Sequence, residues 1–135
     1  MILVEQRLPI GNLTGEKDAH GTADAVVIVG DELCIVDLKY GMGERVEAEN
    51  NPQLMIYALG AMAHLEIQPE SVTVGIVQPR LRHISQYQLT YDELQARIQK
   101  LREAAVRTFT NPEYMPSSDN CHFCKASGDC KAQRE

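Results

Sequence analysis

The feature that most constrains this chain is a pair of β-branched runs, Ala23 to Val29 and Glu32 to Lys39, with only Gly30-Asp31 between them. A two-residue connection with glycine reads as a β-hairpin turn. That turn fixes the register: Val29 faces Glu32, Val27 faces Cys34, and Asp24 faces Asp37. Opposed side chains share a face with Cβ atoms ~4.5–5.5 Å apart, so two aspartates become direct neighbours, which is destabilising unless something neutral or cationic separates them. Lys39, two residues beyond Asp37, returns to the same face by strand alternation. The segment Leu33 to Lys39 is otherwise apolar on both faces, as in a buried central strand, and charges at the end of such a strand need partners. A hard divalent cation is the simplest one, with the carboxylates of Asp24 and Asp37 and the carbonyl of Leu38 as candidate oxygen ligands. Cys34 points to the opposite face among hydrophobic neighbours and reads as core.

The rest of the chain builds around this hairpin. Residues 2–10 read as a strand ending at Pro9 and Gly11, 71–78 and 83–89 as two further strands around Pro79 to Arg82, and 91–109 as a helix. That helix carries Leu94, Ile98, Leu101, Ala105 and Phe109 on one stripe, with Arg97, Lys100 and Arg107 on another face. Asn51-Pro52 is an N-cap followed by proline at the first helical position, opening a helix to about Glu66 that is apolar nearly all round and so belongs against a sheet. Its exceptions, Gln53, Tyr57, Gly60 and His64, form a single stripe that could face Asp37 and Lys39. The expected fold is α/β: a mixed central sheet flanked by helices over residues 1–110, then a linker and Cys-rich tail over 111–135.

Charge bounds the partners. Thirteen Lys and Arg against 19 Asp and Glu give a net charge of −6, so nucleic acid is not held by bulk positive charge. Residues 1–66 hold four basic and eleven acidic side chains, and residues 67–135 nine and eight, which assigns a cation to the first half. Arg80, Arg82, Arg97 and Lys100 in the second half are candidates to track a nucleic-acid backbone. No run of ~18 apolar residues is present, and the Met1-Ile2-Leu3-Val4-Glu5 start is unlike a signal peptide, so a cytoplasmic protein without a membrane partner is expected. Three of the four cysteines fall within ten residues, Cys121, Cys124 and Cys130, in a C-x2-C-x5-C array that fits Zn²⁺ or an iron–sulfur cluster better than a disulfide framework. A fourth ligand is not evident; His122 is one candidate.

Gly21-Thr22-Ala23-Asp24, Val36-Asp37-Leu38-Lys39 and Gln53-Leu54-Met55-Ile56-Tyr57, in that order, resemble the core of the PD-(D/E)XK nuclease superfamily, and among its branches the RecB-like exonucleases, a group that includes nucleases of CRISPR adaptation and phage-encoded homologues. The resemblance implies a restriction-endonuclease-like core and a Mg²⁺- or Mn²⁺-dependent DNA nuclease, in particular an exonuclease, acting on single strands or duplex ends in phage or bacterial DNA processing. It implies that Asp24 and Asp37 bind the metal, that Lys39 positions or activates the attacking water, and that Gln53 and Tyr57 form the branch's Gln-x-x-x-Tyr motif. Members of the branch usually carry a further acid or histidine at the metal, a position that Glu5 or His20 could fill here. The same resemblance favours a [4Fe-4S] cluster over Zn²⁺ at Cys121, Cys124 and Cys130. Two other functions fit the residues: a non-catalytic DNA-binding or scaffold module of the same fold, and a zinc or iron–sulfur protein whose role lies in the cysteine tail.

Overall fold

A computed structural model describes residues 1–134. Five strands form one mixed sheet in sequence order: β1 (Ile2–Pro9), β2 (His20–Val29), β3 (Glu32–Leu38), β4 (Ser71–Gln78) and β5 (His83–Thr90). All neighbours are antiparallel except β3 and β4, which run parallel. A parallel pair needs a crossover, and α2 (Pro52–Leu65) supplies it. Asn51 caps α2 by accepting a hydrogen bond from the Leu54 amide, and Pro52 begins it, as the sequence predicts. The second long helix, α3 (Tyr91–Thr110), opens on a capping box in which Thr90 and Glu93 bond each other's backbone amides. Those bonds hold the Glu93 carboxyl below its ordinary pKa.

Alternation decides what is buried. On β3, Leu33, Ile35 and Asp37 are buried, and on β4 Val72, Val74, Ile76 and Gln78, so one sheet face is continuous with the buried side of α2. Both α2 and α3 pack on this face and on each other. The opposite face carries Ile2, Val4, Val29 and Ile84 exposed, with Cys34 half-buried. Cys34 is therefore outside the main core, and burial, with the nearby Glu32 carboxylate second, raises its thiol pKa.

Some expectations change in detail. Residues 11–14 form a single helical turn, α1 (Gly11–Thr14), closed by Gly15 in the left-handed conformation at φ +77°. On α3, Leu94 and Ile98 are buried, but Phe109 is 68% exposed because the helix outruns the sheet it packs on. The tail contains two short helices, α4 (Ser118–His122) and α5 (Lys131–Arg134), within an otherwise irregular segment. No helix among the described residues is long and apolar enough to cross a membrane.

Gly60 lets α2 approach β1 closely. A Cβ there would lie 2.9 Å from Leu8 Cβ and 3.0 Å from the Pro9 carbonyl oxygen. Gly60→Ala is accordingly expected to cost ~1–3 kcal/mol, because neither contact can yield without moving strand backbone. Urea denaturation measures it; a neutral variant would mean that the α2–β1 contact is loose.

Candidate active site

The hairpin forms in the predicted register as far as Ala25↔Val36, and the expected Asp24↔Asp37 pair is not part of the ladder. Gly30 takes φ +58°, as a primed turn requires of its first residue, and pairs run from Val29↔Glu32 to Ala25↔Val36. At the next position outward the ladder gives way to a side chain: Asp24 Oδ2 accepts a 2.7 Å hydrogen bond from the Leu38 amide. Asp24 is thus clamped to the end of β3, beside Asp37. The Asp37 side chain is directed into the buried face and the residue is only 6% exposed. Lys39 Nζ lies 2.9 Å from Asp37 Oδ2, so the ammonium is the charge partner of this buried carboxylate. A buried carboxylate needs such a partner.

From Lys39 a polar chain runs onto α2. Lys39 donates to Gln53 Oε1 at 3.3 Å, and Gln53 Nε2 donates to the Tyr57 hydroxyl at 3.2 Å. The i, i+4 spacing puts both polar groups on one helix face, over the end of β3. Gly21 explains the start of the Gly-Thr-Ala-Asp segment, since a Cβ there would lie 2.6 Å from Tyr57 Cε1. The glycine leaves room for the ring, and the ring orients Gln53. Gly21→Ala is expected to displace Tyr57, cutting any activity of the site ~10-fold or more while the fold survives. A circular-dichroism melt alongside the activity assay separates the two effects; an unfolded variant would refute a positioning role.

The remaining members of the polar stripe go elsewhere. His64 meets Gln6 Nε2 at 3.2 Å, and Gly60 lies against β1, so of the four only Gln53 contacts Lys39 directly. The two candidates for a further metal ligand also separate. His20 is exposed, with Nδ1 3.0 Å from the Arg7 guanidinium and 3.1 Å from the Asp18 carbonyl oxygen, and it lies four residues along β2 from Asp24. At ~3.3 Å per residue that is too far to join a shared ion. Glu5 stands opposite Asp24 in the β1–β2 register, between the pairs Val4↔Ala25 and Gln6↔Ala23, with a left-handed φ of +49°. Arg97 points inward, onto the Tyr87 ring at 5.3 Å and to Asn50, so it is not available to track a backbone.

Residues that the sequence did not single out hold the segment between β3 and α2. Gln78, 3% exposed, accepts from the Val46 amide at 2.8 Å and donates to the Glu44 carbonyl at 3.0 Å. Ser85 accepts from the Ala48 amide at 2.8 Å, and His83 lies 3.2 Å from Glu47. These contacts fix where α2 begins and hence where Gln53 sits. The available signal was an amide at the end of an otherwise apolar strand, which needs buried partners.

Among the described residues no cluster of three or more His, Cys, Asp or Glu side chains is arranged to hold a metal ion. Asp24 and Asp37 nonetheless suit a hard cation by the chemistry of their donors, because both present carboxylate oxygens at the same strand end and Mg²⁺ commonly takes one or two carboxylates with water in its other positions. The tail is different. Cys121, Cys124 and Cys130 border one cavity of about 110 Å³, but among the described residues no fourth donor joins them, and Cys34 lies in the sheet. As folded, these thiols do not make a closed four-ligand set.

Residues 1–135 match a family described as "Protein of unknown function (DUF2800)", and the chain belongs to that family. Among solved structures it is similar to one titled "Crystal structure of SSO0001", with 18% sequence identity and a TM-score of 0.47 over 98% of this chain. The chain spans 60% of the length of that structure.

Proposed function

We propose that this member of the DUF2800 family is a Mg²⁺- or Mn²⁺-dependent DNA nuclease, an exonuclease of phage or bacterial DNA processing, with Asp24, Asp37, Lys39, Gln53 and Tyr57 as its site. The observation that carries this reading is the buried Asp37 carboxylate, 2.9 Å from the Lys39 ammonium and at the strand end where Asp24 accepts from the Leu38 amide. Two acids and a lysine at the end of a central strand are costly for stability alone, and phosphodiester hydrolysis has a use for each. Asp24 and Asp37 would hold the cation, with the Leu38 carbonyl and Glu5 at its margin. The bound cation supplies charge neutralisation at the phosphoryl oxygens and a water of lowered pKa. Lys39, steadied by Gln53, holds the attacking water or a phosphoryl oxygen in line, and Tyr57 fixes the Gln53 amide. Water adds to phosphorus, the bond to the bridging sugar oxygen breaks, and that oxygen leaves with a proton.

A metal also reconciles a net charge of −6 with a polyanionic substrate, since the bound cation offsets the acidic charge of the site. Cys121, Cys124 and Cys130 are, on this reading, ligands of an iron–sulfur or zinc centre.

Incubating the protein with end-labelled single- and double-stranded DNA in Mg²⁺, Mn²⁺ or EDTA tests the proposal. Shortening of the strand in Mg²⁺ or Mn²⁺ and none in EDTA is expected. DNA binding without cleavage in any metal would instead favour a scaffold of the same fold.

A further inference from the structure

The parallel pairing Leu38↔Val77 brings the C-terminal ends of β3 and β4 side by side, so the chain segments that leave them emerge next to the candidate site. From β3 comes Lys39 and then Tyr40, 66% exposed, followed by Met42, 64% exposed. From β4 comes the turn Pro79–Leu81, and its Arg80 guanidinium lies 5.7 Å from the centre of the Tyr40 ring while donating to the Met42 sulfur. Arg82 follows in the same turn, so residues 79–83 carry two arginines and no acid in a chain that is acidic as a whole. Burial does not explain this group. It is an exposed aromatic ring, steadied by a cation and a polarizable thioether, one residue beyond the lysine of the site.

Resting on the nuclease reading above, we propose that Tyr40, held by Arg80 and Met42, is a stacking platform for an unpaired nucleobase of the strand being cut. The chemistry matches on both counts: the ring offers a π-face to any base, and Arg80 and Arg82 offer charge to the adjoining phosphates. A base inside a duplex has both faces already stacked, so the platform selects a strand that is single next to the scissile phosphate. Tyr40 acts on specificity, whereas the reacting phosphate belongs to Asp24, Asp37 and Lys39.

The full chain contains no tryptophan, so Tyr40→Trp installs a single indole reporter at the platform. A ~12-nucleotide oligothymidylate, an abasic strand of equal length and a blunt duplex serve as ligands. Binding is read by anisotropy in Ca²⁺, which accepts the same oxygen ligands, with strand integrity checked on a gel. Tyr40→Ala is expected to weaken oligothymidylate binding ~5- to 100-fold and leave duplex binding unchanged, with Tyr40→Phe close to the parent. The Tyr40→Trp indole is expected to be quenched by oligothymidylate and not by the abasic strand. Equal losses on both DNAs, no loss on either, or an indole blind to the bases overturns the platform. If metal-dependent cleavage persists in that case, only the platform falls; if no DNA is bound or cut by the parent, the nuclease reading falls with it.

Discussion

Replacing Asp37 with asparagine is expected to lower metal-dependent DNA cleavage on the order of 10³-fold or more while leaving the protein as stable in EDTA as the parent, or more stable by about 1–2 kcal/mol. The two effects share a cause. Asp37 is a buried carboxylate whose charge is compensated by the partly exposed Lys39 ammonium at 2.9 Å. Asparagine removes the cost of burying that charge, and Lys39, only partly buried, can be solvated in its place. A thermal melt adds a second measurement. A cation that binds only the folded parent at 100 times its dissociation constant adds about 2.7 kcal/mol, and this increment should vanish in Asp37→Asn. A variant several kcal/mol less stable in EDTA, with cleavage intact, would make Asp37 a structural residue and end the proposal.

Lys39→Met should separate metal binding from chemistry. The methionine keeps most of the aliphatic stem and loses the ammonium that lies between Asp37 and Gln53. Cleavage is expected to drop ~10²- to 10⁴-fold, the range for losing a positioned acid–base or electrostatic group. The stability gained on adding Mg²⁺ should persist or grow, because the two carboxylates remain and no ammonium competes for them. Loss of the Mg²⁺ increment together with activity would mean that Lys39 organises the carboxylates instead of acting on water or phosphate. Arginine is not expected to rescue, since its planar fork is bulkier than an ammonium and cannot reach the same point between Asp37 Oδ2 and Gln53 Oε1.

Much of this arrangement was legible from local signals. Gly30-Asp31 sets the hairpin register from Val29↔Glu32 to Ala25↔Val36 because a side-chain period of two leaves no freedom once the turn length is fixed, while Asp24 reaches the end of β3 through its side-chain bond to the Leu38 amide. Asn51-Pro52 sets the start of α2 within a residue, which fixes the phase of Gln53 and Tyr57 on their helix. His64 shows where this logic ends. It shares a helical stripe with Gln53, yet the C-terminal part of that stripe meets Gln6 on β1. Arg97 shows the same limit, because a basic residue on a helix is indistinguishable in sequence whether it faces solvent or lies on an aromatic ring such as Tyr87.

The sequence by itself determined the strands, the hairpin register as far as Ala25↔Val36, the helix starts and the closeness of Asp37 to Lys39, all of which depend on neighbours within a turn or a strand length. Only the tertiary structure decided that Gln53 reaches Lys39, that Gly21 makes space for Tyr57, that Gln78 and Ser85 anchor the segment before α2, and that His20 stays apart. Those contacts join residues 14 to 37 positions apart in the chain. They depend on how α2 and the strand ends pack on one sheet face, a geometry set by the shape of the whole buried layer and encoded in no single segment.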